Sequence, residues 1–430
     1  MTLQDAHIVR SLADLVADVL AEQRLHDAEN NVASSPELES ELARNTVRNE
    51  LGRLLAKRPP DAWPPIDEDS ITKEVIAHVL GLGGLEALLA DPDISDIHVR
   101  GCDSVWVKLR DGRRERRGPI VSSDEELVSL VRRAGTRFSR SEKRFDAGSP
   151  EINMQLPDGS RLFAVMEVST RPSLIIRRHR FELSSLDELR SCDVFDHEVR
   201  SLLAAMVRSR RNIVVAGGTG TGKTTLLRAL INEIPQNERI VTIEDAYELG
   251  LEHFADRHPD YDALQSRSAN IEGQGEVTLA DLTRMALRMD PDRVIVGEVR
   301  GAEAFPMLMA MSQGNNGSMC TMHADSARTV FPKLAAYVSM ASTGLPVETV
   351  NVLVASALHF VVFVESRDGR RQVASICEVV DTDGNNIVSN EIMNRTSRGV
   401  VRWPFPLRTA TRDLLEEHGY HPRNMASVGQ

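Results

Sequence analysis

The run Gly217-Gly218-Thr219-Gly220-Thr221-Gly222-Lys223-Thr224-Thr225 could grip a chain of phosphates. It fits the spacing Gly-x-x-x-x-Gly-Lys-Ser/Thr, in which glycines let successive backbone N–H groups converge on an anion while the lysine adds a point charge. Apolar residues 213–216 lead in as a strand, and Leu226, Leu227, Leu230 and Ile231 lead out at helical spacing. The loop therefore precedes a helix N-terminus, which adds partial positive charge. The ligands this pattern predicts are ATP and Mg2+, with Lys223 on the β- and γ-phosphates and Thr224 on the metal. The bland alternative is a glycine-rich strand-to-helix turn that binds nothing.

Two further apolar runs end in carboxylates. In Val294-Ile295-Val296-Gly297-Glu298-Val299 the glutamate lies at a depth where an ionised group is costly unless it is paired or acts on a metal or water. Beside a phosphate loop, Glu298 would orient or deprotonate the attacking water, or hold Mg2+ through water; a salt bridge to Arg300 is the structural alternative. Residues 240–243 deliver Glu244 and Asp245 to the C-terminal edge of a strand, where open α/β sheets bind ligands. Adjacent strand residues point opposite ways, so one of the two faces the site. Glu244 is the choice, against a capping or surface role. His323, after the strand pattern of 318–322, is either a satisfied core histidine or a contact to the γ-phosphate.

These groups need elements to hold them. From about residue 198, buried strands at 212–216, 240–244, 293–299, 318–323 and 360–364 alternate with helices, the mark of a parallel α/β sheet. Short strands follow at 373–380 and 386–392, then a polar tail. Upstream, residues 6–24 place Ile8, Leu12, Leu15, Val16, Val19 and Leu20 at helical spacing. Residues 25–47 are polar, and Asn30-Asn31 and Ser34-Ser35-Pro36 read as breakers in a loose joint. A helical pattern over 71–89 and alternating strands at 94–99, 105–109, 152–156, 161–168 and 174–178 predict a small α+β domain. The expected division is a helical extension over 1–75, an α+β domain over 76–182, a linker over 183–196, a phosphate-loop domain over 197–395 and a tail over 396–430.

At 430 residues the chain suits two or three domains, and 41% hydrophobic with 27% charged residues is ordinary for a soluble protein. A net charge of −12 and 4% aromatics argue against a molecule that coats nucleic acid or an anionic membrane. The exception is the run Arg110, Arg113, Arg114, Arg116 and Arg117, which alternates around Asp111-Gly112 like a hairpin and reads as a solvated turn. Cys102, Cys192, Cys320 and Cys377 form no CxxC pair, so neither a zinc knuckle nor a disulfide framework is indicated, and a reducing cytosol fits. No apolar run approaches the ~20 residues of a membrane span, and no cleavable leader is apparent, so membrane contact is expected to be peripheral.

Taken together, these segments resemble the type II/type IV secretion ATPase superfamily, which includes type IV pilus motors and conjugation ATPases, over about residues 78–395. The glycine loop looks like its Walker A box, Ile243-Glu244-Asp245 its aspartate box, Val296-Gly297-Glu298-Val299-Arg300-Gly301 its Walker B box, and Gly317-Ser318 to His323-Ala324 its histidine box. Leu82-Gly83-Gly84-Leu85 through Asp91-Pro92-Asp93-Ile94-Ser95-Asp96-Ile97, and Asn270-Ile271-Glu272-Gly273 through Gly275-Glu276-Val277, look most like the tight-adherence (Flp) pilus branch. The paired CxxC insertion of the type II secretion branch is missing, and Gly314-Asn315-Asn316-Gly317 lacks the histidine or aspartate often seen before the histidine box. Leu156-Pro157-Asp158-Gly159-Ser160-Arg161 and Ile176-Arg177 resemble the family's nucleotide-contacting arginine turn and strand. That likeness makes Arg161 and Arg177 candidate arginine fingers; the alternative is that Arg161, Arg177, Arg178 and Arg180 solvate strand edges.

The resemblance implies an α/β protein. Its C-terminal domain would be a RecA-like P-loop ATPase with a predominantly parallel sheet, preceded by a small PAS-like α+β domain and a helical extension. It further implies a homo-hexamer that hydrolyses ATP, with nucleotide between its two domains. The hexamer would drive a polytopic inner-membrane platform protein of a pilus or secretion machine from the cytoplasmic side. No nucleic-acid partner is expected. The rival classes are a nucleic-acid translocase of a conjugation-type system and a nucleotide-gated scaffold that does not hydrolyse.

Overall fold

A computed structural model of the chain describes residues 3–30, 35–56, 67–139, 143–178, 185–270 and 272–422. They fall into two units, Met1–His179 and Arg180–Gln430. In the first, helices α1 (Leu3–Glu29), α2 (Pro36–Ala56) and α3 (Glu68–Leu80) pack on one another. Their apolar stripes recur at three- and four-residue spacing: Val9, Leu12, Ala13, Val16 and Leu20; Ala43, Val47 and Leu51; Ile71 and Val75.

Within 25–47, where a loose joint is expected, helix runs on to Glu29 and resumes at Pro36. Pro36 opens α2, where a proline's missing N–H is no loss, and Glu37 and Glu39 complement the positive helix start. Arg24 of α1 also makes a bidentate pair with Glu39, at 2.6 and 2.8 Å. Residues 31–34 lie outside the described residues. Helix α3, capped by Asp67 on the Ser70 N–H, runs unbroken across the expected boundary at 75 and belongs with the other two helices.

Helix α4 (Leu85–Ala90) leads into β1 (Ile94–Arg100), β2 (Ser104–Leu109) and β3 (Arg114–Arg117). Then come α5 (Asp124–Phe138), β4 (Glu151–Gln155), β5 (Arg161–Val165) and β6 (Ser173–Arg177). The six strands are all antiparallel, in the order β3-β2-β1-β6-β5-β4. Alternation puts Ile97, Val99, Leu162, Ala164, Leu174 and Ile176 in a core with Leu127, Leu130 and Val131 of α5. Strand β5 ends sooner than the sequence pattern suggests, because the chain turns through Glu167 at φ 64.

The arginine run is a hairpin, turned at Gly112 with φ 88. Its charges are answered locally. Arg113 pairs with Asp111 at 2.6 Å and Arg117 with Glu115 at 2.9 Å, while Arg116 donates to the Asp103 carbonyl.

The second unit begins with α6 (Leu186–Ser191) and α7 (His197–Arg208). The stretch read as a linker over 183–196 thus contains a packed helix over 186–191; 183 and 184 lie outside the described residues. A reciprocal capping box between Ser185 and Glu188 starts it, and Leu186 and Leu189 are buried. Strand β7 (Ile213–Gly217), helix α8 (Lys223–Ile231), β8 (Ile240–Glu244) and β9 (Tyr261–Gln265) follow. Next are α9 (Leu279–Ala286), β10 (Arg293–Val299), α10 (Ala304–Ser312), β11 (Met319–His323), α11 (Val330–Met340) and α12 (Val347–Ala357). The unit closes with β12 (Phe360–Arg367), β13 (Arg370–Thr382), β14 (Ile387–Arg395), β15 (Val401–Arg402) and α13 (Thr409–Glu417).

The strands form one nine-stranded sheet, β15-β14-β13-β12-β7-β11-β10-β8-β9. It is parallel from β12 through β9 and antiparallel from β12 to β15, so the α/β class expected from sequence is the observed one. Helices cover both faces of the parallel part, which is why its strands are apolar without alternation. Ile213 and Val215 join the core with α7 and α8, whereas Val214 and Ala216 join the core with α10 and α11. The segment read as a polar tail in fact continues the fold. Strand β15 extends the sheet, and Leu415 and Tyr420 enter the core beside α7. Residues 423–430 lie outside the described residues.

Two buried polar residues pin the foot of this sheet. Asn212 donates to the Met311 and Ala357 carbonyls and accepts from the N–H groups of Gly317 and Ser318, tying the start of β7 to three neighbouring segments. Arg293 is fully buried and holds Glu238 through two hydrogen bonds of 2.7 and 3.0 Å. Breaking such a pair from one side typically costs about 3–5 kcal/mol, because the remaining charge is stranded.

Candidate functional site

Strand β7 delivers the glycine loop to the C-terminal edge of the sheet between two parallel neighbours. Gly217 is in register with His323 on β11 and with Val364 on β12. A Cβ on Gly217 would lie 2.3 Å from the Val364 carbonyl oxygen and 2.7 Å from Thr221 Oγ1, so only glycine fits. Gly220 and Gly222 take φ values of 74 and 97, the left-handed region that glycine enters freely. Thr221 Oγ1 and Lys223 Nζ both donate to the Gly218 carbonyl, at 3.0 and 2.8 Å, so the loop is already bent around the lysine. Thr219 and Gly220 form its exposed crest.

Helix α8 has neither a side-chain cap nor an acidic residue in its first turn. Its first internal hydrogen bond runs from the Leu226 N–H to the Gly222 carbonyl. The amides of Thr224 and Thr225 precede that bond, and helix starts of this kind receive anions.

Across from the loop, strand β10 brings Glu298 to the same edge. Its Oε1 lies 2.9 Å from His323 Nε2, whose distance to Lys223 Nζ is 3.5 Å. Lys223 and His323, a hundred positions apart in the chain, thus meet at the ends of neighbouring strands. The Glu298–His323 approach is at ion-pair distance but is not aligned for a hydrogen bond, which leaves Oε1 a buried acceptor without a donor. Such an oxygen is suited to a water or a hydrated cation. Burial and then the Lys223 charge hold the His323 imidazole below its ordinary pKa, against the pull of Glu298. Lys333 Nζ donates to the His323 carbonyl at 3.0 Å and fixes that end of the strand.

Arg300 takes the other Glu298 oxygen at 2.8 Å and reaches Asp245 at 3.4 Å. The salt bridge held open from sequence is therefore present, alongside the approach to the loop. Arg300 stands two residues beyond Glu298, just past the end of β10, and that spacing was the available signal for a shared face. Asp245 also accepts from Ser266 Oγ.

Of the adjacent carboxylates, Asp245 faces Arg300 and Glu244 turns inward. Glu244 accepts from the N–H groups of Glu248 and Leu249 at 2.7 and 2.8 Å and from Thr242 Oγ1 at 3.1 Å. This is the capping role, in which the side chain holds the loop after β8. Burial pushes its carboxyl up to about 7 despite those bonds. The folded chain therefore keeps a proton that the unfolded chain sheds near 4.5, and this contribution, complete at low pH, is lost as pH rises through about 7. Glu244→Gln can accept from both N–H groups and donate to Thr242. Its stability relative to wild type is expected to rise by roughly 2–3 kcal/mol from about pH 5 to 8. Urea unfolding at several pH values measures the gap, and a flat gap would mean that Glu244 ionises normally.

The two candidate arginine fingers belong to the first unit. Arg161 and Arg177 are cross-strand partners on β5 and β6. Arg161 donates to Asn153 Oδ1 at 3.2 Å, and Arg177 is more than half exposed, with Asp96 at 3.8 Å. Arg178 is occupied differently, donating to the Asp91 and Ile94 carbonyls at the head of β1. Arg180 and Ile271 lie outside the described residues. Among those described, no three His, Cys, Asp or Glu side chains converge on a metal. A Mg2+ at this edge would draw most of its ligands from phosphate and water, with Thr224 and Glu298 the residues placed to assist.

Comparison with known proteins places this edge in context. The family model described as Type II/IV secretion system protein matches residues 80–398. A protein of Mycobacterium tuberculosis strain H37Rv whose name assigns it to conjugal transfer is 38% identical over 314 residues, which cover 71% of this chain and 86% of that protein. The type IV secretion system protein PtlH of Bordetella pertussis is 32% identical over 325 residues, covering 69% of this chain and 93% of its own. Among solved structures, the ATPase DotB of Legionella pneumophila shares the fold at a TM-score of 0.51 and 18% identity, over 70% of this chain and 80% of that one.

Proposed function

Because the chain belongs to the Type II/IV secretion system protein family, we propose that it is a motor that hydrolyses Mg-ATP. In this reading it works as a hexamer of the tight-adherence (Flp) pilus branch, acting from the cytoplasmic face on a polytopic inner-membrane platform protein. The observation that carries the proposal is the meeting of Lys223, His323 and Glu298 at the mouth of a pre-bent glycine loop. No described helix is long and apolar enough to cross a membrane.

Lys223 exchanges the Gly218 carbonyl for the β- and γ-phosphates, with the glycine-loop amides around them. Thr224, and Glu298 through water, would hold Mg2+, which supplies neutralising charge when bound. Glu298 Oε1, lacking a donor of its own, accepts from the attacking water and aligns it. His323, whose ring burial and Lys223 hold toward the neutral form, donates an N–H to an oxygen of the terminal phosphate without adding a charge. Arg161 and Arg177 answer the charge that grows on the γ-phosphoryl oxygens, and their release on loss of that phosphate converts hydrolysis into motion.

The conjugal-transfer name of the Mycobacterium relative motivates the alternative, a nucleic-acid translocating ATPase. The local pairing of Arg113, Arg116 and Arg117 with acids and a carbonyl weakens the one basic stretch that could track phosphates. The decisive measurements are calorimetric titration with Mg-ATP and phosphate release with and without DNA. Saturable heat and turnover indifferent to DNA are expected. Flat heats from folded protein would remove the proposal, and DNA-stimulated, salt-sensitive turnover would transfer it to the alternative.

A further inference from the structure

The hairpin joining β12 to β13 overhangs the glycine loop and has no part in the chemistry proposed for Lys223, His323 and Glu298. Val364 on β12 lies beside Gly217. Beyond it the strand continues to Arg367, turns at Asp368-Gly369 with φ values of 53 and 78, and returns with Arg371 opposite Ser366. This return lays Arg371 on the end of the loop: a Cβ on Gly222 would stand 3.3 Å from Arg371 Cδ. Arg367 is engaged by the Thr396 carbonyl and Glu365. The Arg371 head is exposed, and no described residue hydrogen-bonds or ion-pairs with it.

We propose that Arg371 is a nucleotide-binding residue that contacts the α-phosphate end of the ligand held by the glycine loop. This rests on the proposed function and adds a residue to it. The sheet order supplies the direction. Glu298 and His323, the groups assigned to the terminal phosphate, stand on β10 and β11 to one side of β7, whereas Arg371 comes from β12 and β13 on the other side. A triphosphate laid over the loop with its γ end toward β11 extends its α-phosphate and nucleoside toward β12. There an arginine with its stem against Gly222 presents a planar, permanently charged fork to phosphate oxygens, which a solvated surface arginine has no reason to do from this position.

The test is calorimetric titration of the full chain with Mg-ATP and with Mg-ADP, for wild type, Arg371→Ala, Arg371→Lys and Arg370→Ala, with thermal unfolding to verify folding. Arg371→Ala is expected to lose ~10–100-fold in affinity for both nucleotides equally, since both carry the α-phosphate. Arg371→Lys should recover part of that loss, and Arg370→Ala should bind as wild type. Unchanged affinity in Arg371→Ala overturns the inference, as does a loss confined to ATP, which would put the arginine on the γ-phosphate. Absence of binding by wild type would instead bring down the proposed function, and this inference with it.

Discussion

Glu298→Gln is expected to bind Mg-ATP with near wild-type affinity and to hydrolyse it about 10²–10⁴-fold more slowly, the usual contribution of a positioned acid–base group. The amide keeps the size of the side chain and can still accept from Arg300 Nε, so the 2.8 Å contact need not be vacated. What disappears is the negative charge at Oε1, the oxygen that lacks a donor and lies 2.9 Å from His323. Lys223→Ala is the complement: it removes the charge that crosses the loop and should weaken nucleotide binding itself. Single-turnover phosphate release on pre-bound nucleotide separates the two effects. Wild-type turnover by the glutamine variant would strike Glu298 from the mechanism and leave its carboxylate as an anchor for Arg300.

The paired variant Arg161→Gln/Arg177→Gln is expected to lose about 10³–10⁵ in turnover, the range for arginines that stabilise phosphoryl transfer. Its diagnostic value comes from stability moving the other way. The two guanidinium groups project from directly opposed positions of an antiparallel pair, where like charges repel. Removing both should leave the thermal midpoint of the first unit unchanged or slightly raised. A fall in rate therefore cannot be assigned to unfolding. Undiminished turnover would leave both arginines as solvating residues at a strand edge.

The parallel core was legible because its strands are buried on both faces. The segments 240–244 and 293–299 coincide with β8 and β10, each a mostly apolar stretch with a carboxylate at or next to its C-terminal end. The elements that escaped are those whose signal is short or double-edged. Ser35-Pro36 breaks a helix if it falls inside one and starts a helix if it falls at the end, and only the burial of Ala43, Val47 and Leu51 decides between the two. Strand β9 is half-buried along its whole length and shows no alternation to detect.

Within the site, alternation along β8 established that Glu244 and Asp245 diverge. It could not tell which of them turns inward, because the backbone donors that claim Glu244 belong to a loop that folds back at Glu248 and Leu249. Arg371 was out of reach for a similar reason. Its proximity to Gly222 depends on a hairpin register that no local pattern encodes.

The termination of the large sheet also bears on how the protein behaves at high concentration. Past β14 the ladder ends on β15, a strand of only two residues that pairs with Asn394 and Arg395, so residues 387–393 of β14 meet no further strand among the described residues. Such an uncovered rim can take on a strand of another chain, so a preparation is expected to grow prone to precipitate as its concentration rises.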